Sequence, residues 1–207
     1  MSAPAYILLN KMQTEMKYRL LFLCLLLASC STWTPREKEI IDSSDSLMYV
    51  YQLPKDSAVL RTVSRDFGPD LIGSARIGRL SAFMLHTVQD PSQDGVGIAA
   101  PQVGINRRMV CVQRFDKPGE PFECYANIRI DSLYGPVVQG PEGCLSVPGK
   151  RGIVPRWSRV DISYVDPETG VNASETVDGF TAIIFQHECD HLDGVMYIDK
   201  ADTVFAK

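Results

Sequence analysis

The sequence predicts an α+β fold, with antiparallel β-sheets packed around a central C-terminal helix. Three observations lead there. Short β-rich runs fill the middle of the chain, an amphipathic helical pattern precedes them, and a second helical stretch follows them. That last helix carries two histidines four residues apart around a glutamate, so the fold would be organised about its most chemical segment.

In chain order, the first thirty residues stand apart. Met16-Lys17-Tyr18-Arg19 is a short basic stretch, and an apolar run follows at 20–28. A run of about nine residues suits a signal-peptide core and is too short for a membrane span, which needs about twenty. It ends in Leu27-Ala28-Ser29-Cys30, which resembles the lipobox of bacterial lipoproteins. The resemblance implies that Cys30 receives a diacylglyceryl group and becomes the mature N-terminus, two acyl chains being enough for stable anchoring. A plain cleaved signal followed by a chance cysteine is the alternative. Residues 1–15 read as an upstream start, since Met16 opens the cleaner leader. Residues 31–45 are polar and charged and read as a tether, leaving 46–207 as the domain.

Within the domain, Ile72, Ile77, Leu80, Phe83, Met84 and Val88 recur at mostly helical spacing, predicting an amphipathic helix over 71–88. It should stop near Asp90-Pro91, because the residue before proline avoids the helical region. Strands are expected at 109–112 and 125–130, and a half-exposed one where Val160, Ile162 and Tyr164 alternate with polar residues. Asp166-Pro167-Glu168-Thr169-Gly170 reads as a turn. Residues 179–192 return to helix, with Gly194 near its C-terminal cap.

Composition narrows the function classes. A hydrophobic fraction of 45% and a charged fraction of 22% are ordinary for a folded soluble body. A net charge of −4 gives no basic footprint, so nucleic acid is not expected as a partner. Of six cysteines, Cys24 and Cys30 belong to the leader. Cys111, Cys124, Cys144 and Cys189 show no regular spacing, so no disulfide scaffold is expected. Cys111 and Cys124 fall in strand-like runs and should be buried, and at least one of the four should have another use.

Gln186-His187-Glu188-Cys189-Asp190-His191 contains His-Glu-x-x-His. On a helix, positions four apart share a face, so His187 and His191 can reach one metal ion. Glu188 lies one residue on, where its carboxylate can serve a water rather than ligate. Cys189, at i+2 from His187, should point away from that face. Asp190 should either orient a neighbouring group or face solvent. His86, on the earlier helix, is expected at the surface or satisfied in the core. A catalytic site normally takes a third protein ligand and keeps one position open. Tyr197 stands where a further histidine would fall in one class of zinc peptidase, and no glutamate follows Glu188 in the sequence. The third ligand is therefore sought upstream. Cys144, between Gly143 and Gly149, is the best candidate, although a cysteine taken alone is more often an ordinary buried residue than a ligand.

Three stretches together are more specific than any one. Residues 95–104 (GVGIAAPQVG), 142–149 (EGCLSVPG) and 186–194 (QHECDHLDG) resemble, in this order and spacing, the three signature motifs of peptide deformylases. Similarity extends outward to Leu53-Pro54-Lys55-Asp56, Leu60-Arg61 and residues 151–156, covering about 53–199. Ile128 and Phe185 depart from the pattern, and neither touches an expected ligand. The resemblance implies a metal-dependent hydrolase that removes the formyl group from N-formylmethionyl peptides, on the deformylase fold. It implies that Cys144, His187 and His191 bind one divalent metal ion, iron(II) first, with zinc or nickel as alternatives. It makes Glu188 the acid/base, and it gives Gln102 and the Leu145 N–H the formyl oxygen.

Substrate contacts follow from the same segments. Gly95 and Gly97 let backbone approach closely, and the stretch containing Glu142 and Gly143 reads as extended, so a peptide could add as a strand between them. Ile183 and Ile184 lie four and three residues before His187, on its helical face, and with Val96 and Leu145 would line the methionine pocket. A monomer anchored in the cell envelope is expected, although typical family members are cytoplasmic. Two alternatives are an envelope amidase acting on other N-acyl peptides and a non-catalytic module that binds formyl-peptides. Retention of Glu188 and Gln102 weighs against the module.

Overall fold

The computed structural model describes residues 32–93 and 95–207. The expected leader with its start at Met16, the lipidation site Cys30 and Ser31 lie outside the described residues.

Residues 32–45 are not a free tether. Pro35–Ser43 form helix α1. The Thr34 hydroxyl accepts from the Glu37 N–H at 3.2 Å while the Glu37 carboxylate accepts from the Thr34 N–H at 2.7 Å, a reciprocal cap with proline in the first turn. Trp33 and Ile41 are buried in the core. Glu37 is buried too, and its carboxylate meets the fully buried Arg107 at 2.8 and 3.1 Å. The charged composition suggested solvent, but the partner of Glu37 lies 70 residues further on, beyond the reach of local pattern. The body of the domain therefore begins ahead of residue 46.

Helix α2 spans Ala75–Val88. It starts later than the expected residue 71 because Ser74 accepts from the Ile77 N–H and caps it there, and it gives way at Gln89, just before Asp90-Pro91.

Six strands form one antiparallel sheet: β1 (Gly97–Ala99), β2 (Met109–Gln113), β3 (Phe122–Cys144), β4 (Val147–Val165), β5 (Asn172–Asp178) and β6 (Thr203–Ala206). The order is β1-β2-β3-β4-β5, with β6 also pairing β4. The expected strands at 125–130 and 160–164 are pieces of a much longer hairpin. That hairpin contains several prolines and glycines, and register shifts between Tyr134 and Val137 and between Glu142 and Cys144 interrupt its pairing. Val160 and Ile162 face inward and are fully buried, as their alternation predicted. Cys111 and Cys124 sit opposite each other on β2 and β3 and form a disulfide; Cys111 is buried as expected and Cys124 is half-buried. Strand register decides that pairing, and sequence spacing does not show it.

Helix α3 spans Gly179–Leu192, at its expected bounds. Ile184, Phe185, Cys189 and Leu192 pack against Val110, Val112, Tyr125 and Val160 of the sheet. Gly194 follows with φ +73°, and a Cβ there would fall 2.5 Å from the Arg61 carbonyl oxygen, so only glycine closes this end.

Candidate metal centre and active site

The hairpin turn between β3 and β4 is only Leu145 and Ser146, and it faces the α3 surface that carries the two imidazoles. His187 and His191 lie with ring centroids 5.0 Å apart. Ligand atoms of Cys144, His187 and His191 all fall within 4.8 Å of one another. The Cys144 Sγ is 3.3 Å from His191 Nε2. A tetrahedral cation with bonds of about 2.3 Å to sulfur and about 2.0 Å to nitrogen spans an S–N edge of about 3.5 Å, so this separation fits one. A thiolate with two imidazoles also suits the borderline metals.

These candidate ligands are held from behind. The His187 Nδ1–H donates to Glu142 Oε2 at 2.8 Å, leaving Nε2 for the centre. Glu142 is buried and also takes two hydrogen bonds from Arg156, at 2.7 and 3.0 Å. Burial would raise its carboxyl, but His187 and Arg156 outweigh that and hold it at about 2. Arg156 continues to Asp190 at 2.6 Å, and Asp190 to Lys200 at 2.6 Å. Sequence reading gave Glu142 to the substrate. It borders the cleft, but its carboxylate is committed to His187 and Arg156. Asp190 is the orienting residue of the two roles expected for it.

Burial, with the nearby His187 charge, pushes His191 well below the ordinary histidine range, which keeps its lone pair available to a cation. His187 goes the other way: burial would lower it, but the Cys144 sulfur and the Glu142 carboxylate raise it well above.

Glu188 is buried, and its Oε2 has no hydrogen-bond partner among the described residues. Burial, before any neighbouring charge, pushes its carboxyl up to about 7. A Cβ on Gly97 would sit 2.5 Å from Glu188 Oε1, so the glycine at the start of β1 makes room for this side chain. Gln102, on the 3-10 turn Ala100–Val103, is also buried. The Ala99 N–H donates to its Oε1 at 2.8 Å, which turns its Nε2 toward Cys144 Sγ at 3.5 Å.

A cleft of about 490 Å³ opens over these groups. Gly95, Val96, Gly97, Glu142, Gly143, Leu145, Ile183 and Ile184 all line it. All the residues expected to bind substrate therefore border one space. Phe180, Val147 and the basic residues Lys150 and Arg151 also border it, and sequence reading missed them. Helical spacing from His187 (one further turn back from Ile184) could have found Phe180. Cys189 is buried away from the metal group, its thiol pushed up to about 12 by burial, as its position predicted. His86 is exposed.

The polypeptide deformylase family profile matches residues 48–206. The chain belongs to the polypeptide deformylase family. Peptide deformylase of Leptospira biflexa is 38% identical over 149 residues, 69% of this chain and 82% of that one. Peptide deformylase 2 of a Nostoc strain is 39% identical over 138 residues, 64% of this chain and 75% of that one. Among solved structures, the class I type b peptide deformylase of Acinetobacter baumannii bound to Met-Ala-Ser aligns with TM-score 0.68 and 30% identity, over 76% of this chain and 99% of that one. The Synechococcus elongatus peptide deformylase in complex with actinonin aligns with TM-score 0.67 and 32% identity, over 75% and 81%. This chain is accordingly a peptide deformylase in activity, a hydrolase of the N-terminal formyl amide, on the α+β fold its sequence predicted. Helix α1 lies upstream of the matched region.

Proposed function

We propose that Cys144, His187 and His191 hold one divalent cation, iron(II) first and zinc or nickel as alternatives, and that Glu188 and Gln102 act beside it on N-formylmethionyl peptides. One observation carries this reading: three metal-ligating side chains converge next to a buried carboxylate oxygen without a partner. When bound, the cation supplies Lewis acidity that makes hydroxide available near neutral pH. Glu188, with its carboxyl near 7, takes the proton of the attacking water and later gives it to the departing amine. Gln102 Nε2 and the Leu145 N–H donate to the formyl oxygen as it gains charge. The peptide backbone lies between the walls at Gly95–Val96–Gly97 and Glu142–Gly143, and Ile183 and Ile184 receive the methionine side chain.

The reading extends to the cell envelope through lipid on Cys30. The leader supports it, and so does the Cys111–Cys124 disulfide, because such bonds form and persist in oxidising compartments. Blocking lipoprotein processing should leave a larger, unlipidated precursor by mass; an unchanged mass removes the anchor. For the chemistry, purified protein is offered formyl-Met-Ala-Ser and acetyl-Met-Ala-Ser with its metal content measured. Formate release from the first alone, with about one metal per chain bound as the Cys-His-His site requires, is expected. Metal without formate release, or hydrolysis of both peptides alike, overturns the assignment.

A further inference from the structure

We propose that Ser146 is a positioning residue for the oxyanion donor, acting through the Gln102 carboxamide; this rests on the reading of Gln102 as donor to the formyl oxygen. Ser146 is fully buried in the two-residue turn after Cys144. Its Oγ accepts a hydrogen bond from Gln102 Nε2 at 3.2 Å. The carboxamide is thus fixed at both ends, by the Ala99 N–H on Oε1 and by the serine hydroxyl on one Nε2 hydrogen. An amide nitrogen carries two hydrogens. With the first directed to Ser146, the second points along the Cys144 side of the cleft, where the Nε2–Sγ distance is 3.5 Å.

The backbone holds both partners in the same register. The Tyr51 N–H donates to the Gln102 carbonyl at 2.8 Å, and the Leu53 N–H, two residues on, donates to the Ser146 carbonyl at 2.9 Å. One extended segment therefore ties the loop of Gln102 to the turn of Ser146, and the side-chain hydrogen bond closes the ring. The Ser146 N–H meanwhile donates to Cys144 Sγ at 3.4 Å, so the same residue serves the sulfur by its backbone and the amide by its side chain. Removing Oγ leaves the backbone contacts in place. It removes one of the two groups that pin the carboxamide, leaving only the Ala99 N–H on Oε1, so Nε2 is no longer held in place beside the Cys144 side of the cleft.

The test is a double-mutant cycle on metal-loaded enzyme with formyl-Met-Ala-Ser, using Ser146→Ala, Gln102→Ala and the pair. Ser146→Ala is expected to lower kcat by about 10- to 100-fold with KM nearly unchanged, as for a misaligned transition-state donor. In the Gln102→Ala background the serine change should have less than about a twofold effect, because the group it positions is gone. Ser146→Thr keeps a hydroxyl and should recover kcat. Equal losses from Ser146→Ala in both backgrounds, or loss of metal and of folded protein in the single variant, overturn the proposal by showing that Ser146 acts on the sulfur or on the turn. If Gln102→Ala itself leaves kcat intact, the donor reading of Gln102 fails first, and that outcome is separate from an inert Ser146→Ala beside a crippled Gln102→Ala.

Discussion

Two buried glutamates show the difference between holding a fold together and doing chemistry. Glu37 accepts from the Thr34 N–H and lies against Arg107 and Arg65, so both its oxygens are occupied. Glu188 is as deeply buried, yet its Oε2 meets no donor among the described residues. Burial would raise the Glu37 carboxyl, but the Arg107 and Thr34 hydrogen bonds outweigh it and the group ends below its usual range. The same burial, unopposed by a hydrogen bond, lifts Glu188 to about 7. A carboxylate with its partners in place stabilises the chain, whereas one left short of partners is poised to exchange protons.

The largest effect expected from breaking this contrast is in turnover. Glu188→Ala should keep its metal and lose about two to four orders of magnitude in kcat, as removal of a general acid/base does. Elemental analysis beside a formate assay checks it; an apo protein or a fully active one would show the carboxylate in another role. Glu37→Ala should do the reverse. It leaves part of the buried Arg107 charge uncompensated and should cost about 3 kcal/mol of stability in urea unfolding, with activity per folded molecule unchanged. Glu142→Ala falls between the two regions, since its carboxylate is fully engaged but on a ligand. It should weaken metal affinity about 10- to 100-fold in a chelator competition, with the unfolding midpoint of the metal-loaded enzyme moving less than in Glu37→Ala.

The smallest effect is a pair of opposite pH slopes. Glu37 has a lowered folded pKa, so its contribution is present above its unfolded value near 4.5 and fades as pH falls through the folded value. Wild type should therefore lose more stability than Glu37→Gln on acidification below about pH 4.5. Glu188 has a raised one: its neutral form is favoured at low pH, and stability is lost as pH rises from about 4.5 to about 7. Metal-free wild type should weaken over that interval relative to metal-free Glu188→Gln. Parallel slopes for the two wild-type and variant pairs would erase the distinction.

The two regions were also unequally legible. His187 and His191 announce a site because helical geometry alone puts positions four apart on one face, and α3 keeps its expected bounds. Cys144 needed the resemblance, since nothing in a lone cysteine says that a hairpin turn will carry it to that face. Glu142, Arg156 and Ser146 were out of reach for a further reason. Their roles depend on the register of β3 against β4, and shifts along that hairpin reset which residues lie opposite each other, which local pattern does not show. Glu37 was least legible. A helix of charged residues looks solvated unless its distant arginine is known to be buried, and the Cys111–Cys124 bond depends in the same way on a neighbour across the sheet.

The bare Cα of Gly97 has a consequence for how this enzyme can vary. Any side chain there would compete for volume with Glu188 Oε1 and with the Ile184 methyl, 2.9 Å from the same imagined carbon. Gly78, inside α2, has nothing within 4 Å of such a carbon. Drift can therefore pass through the second position, where alanine would even strengthen the helix by about 1 kcal/mol, and is closed at the first. A hydrogen atom in place of a methyl, at the near edge of β1, sets the size of the chamber that houses the Glu188 carboxylate.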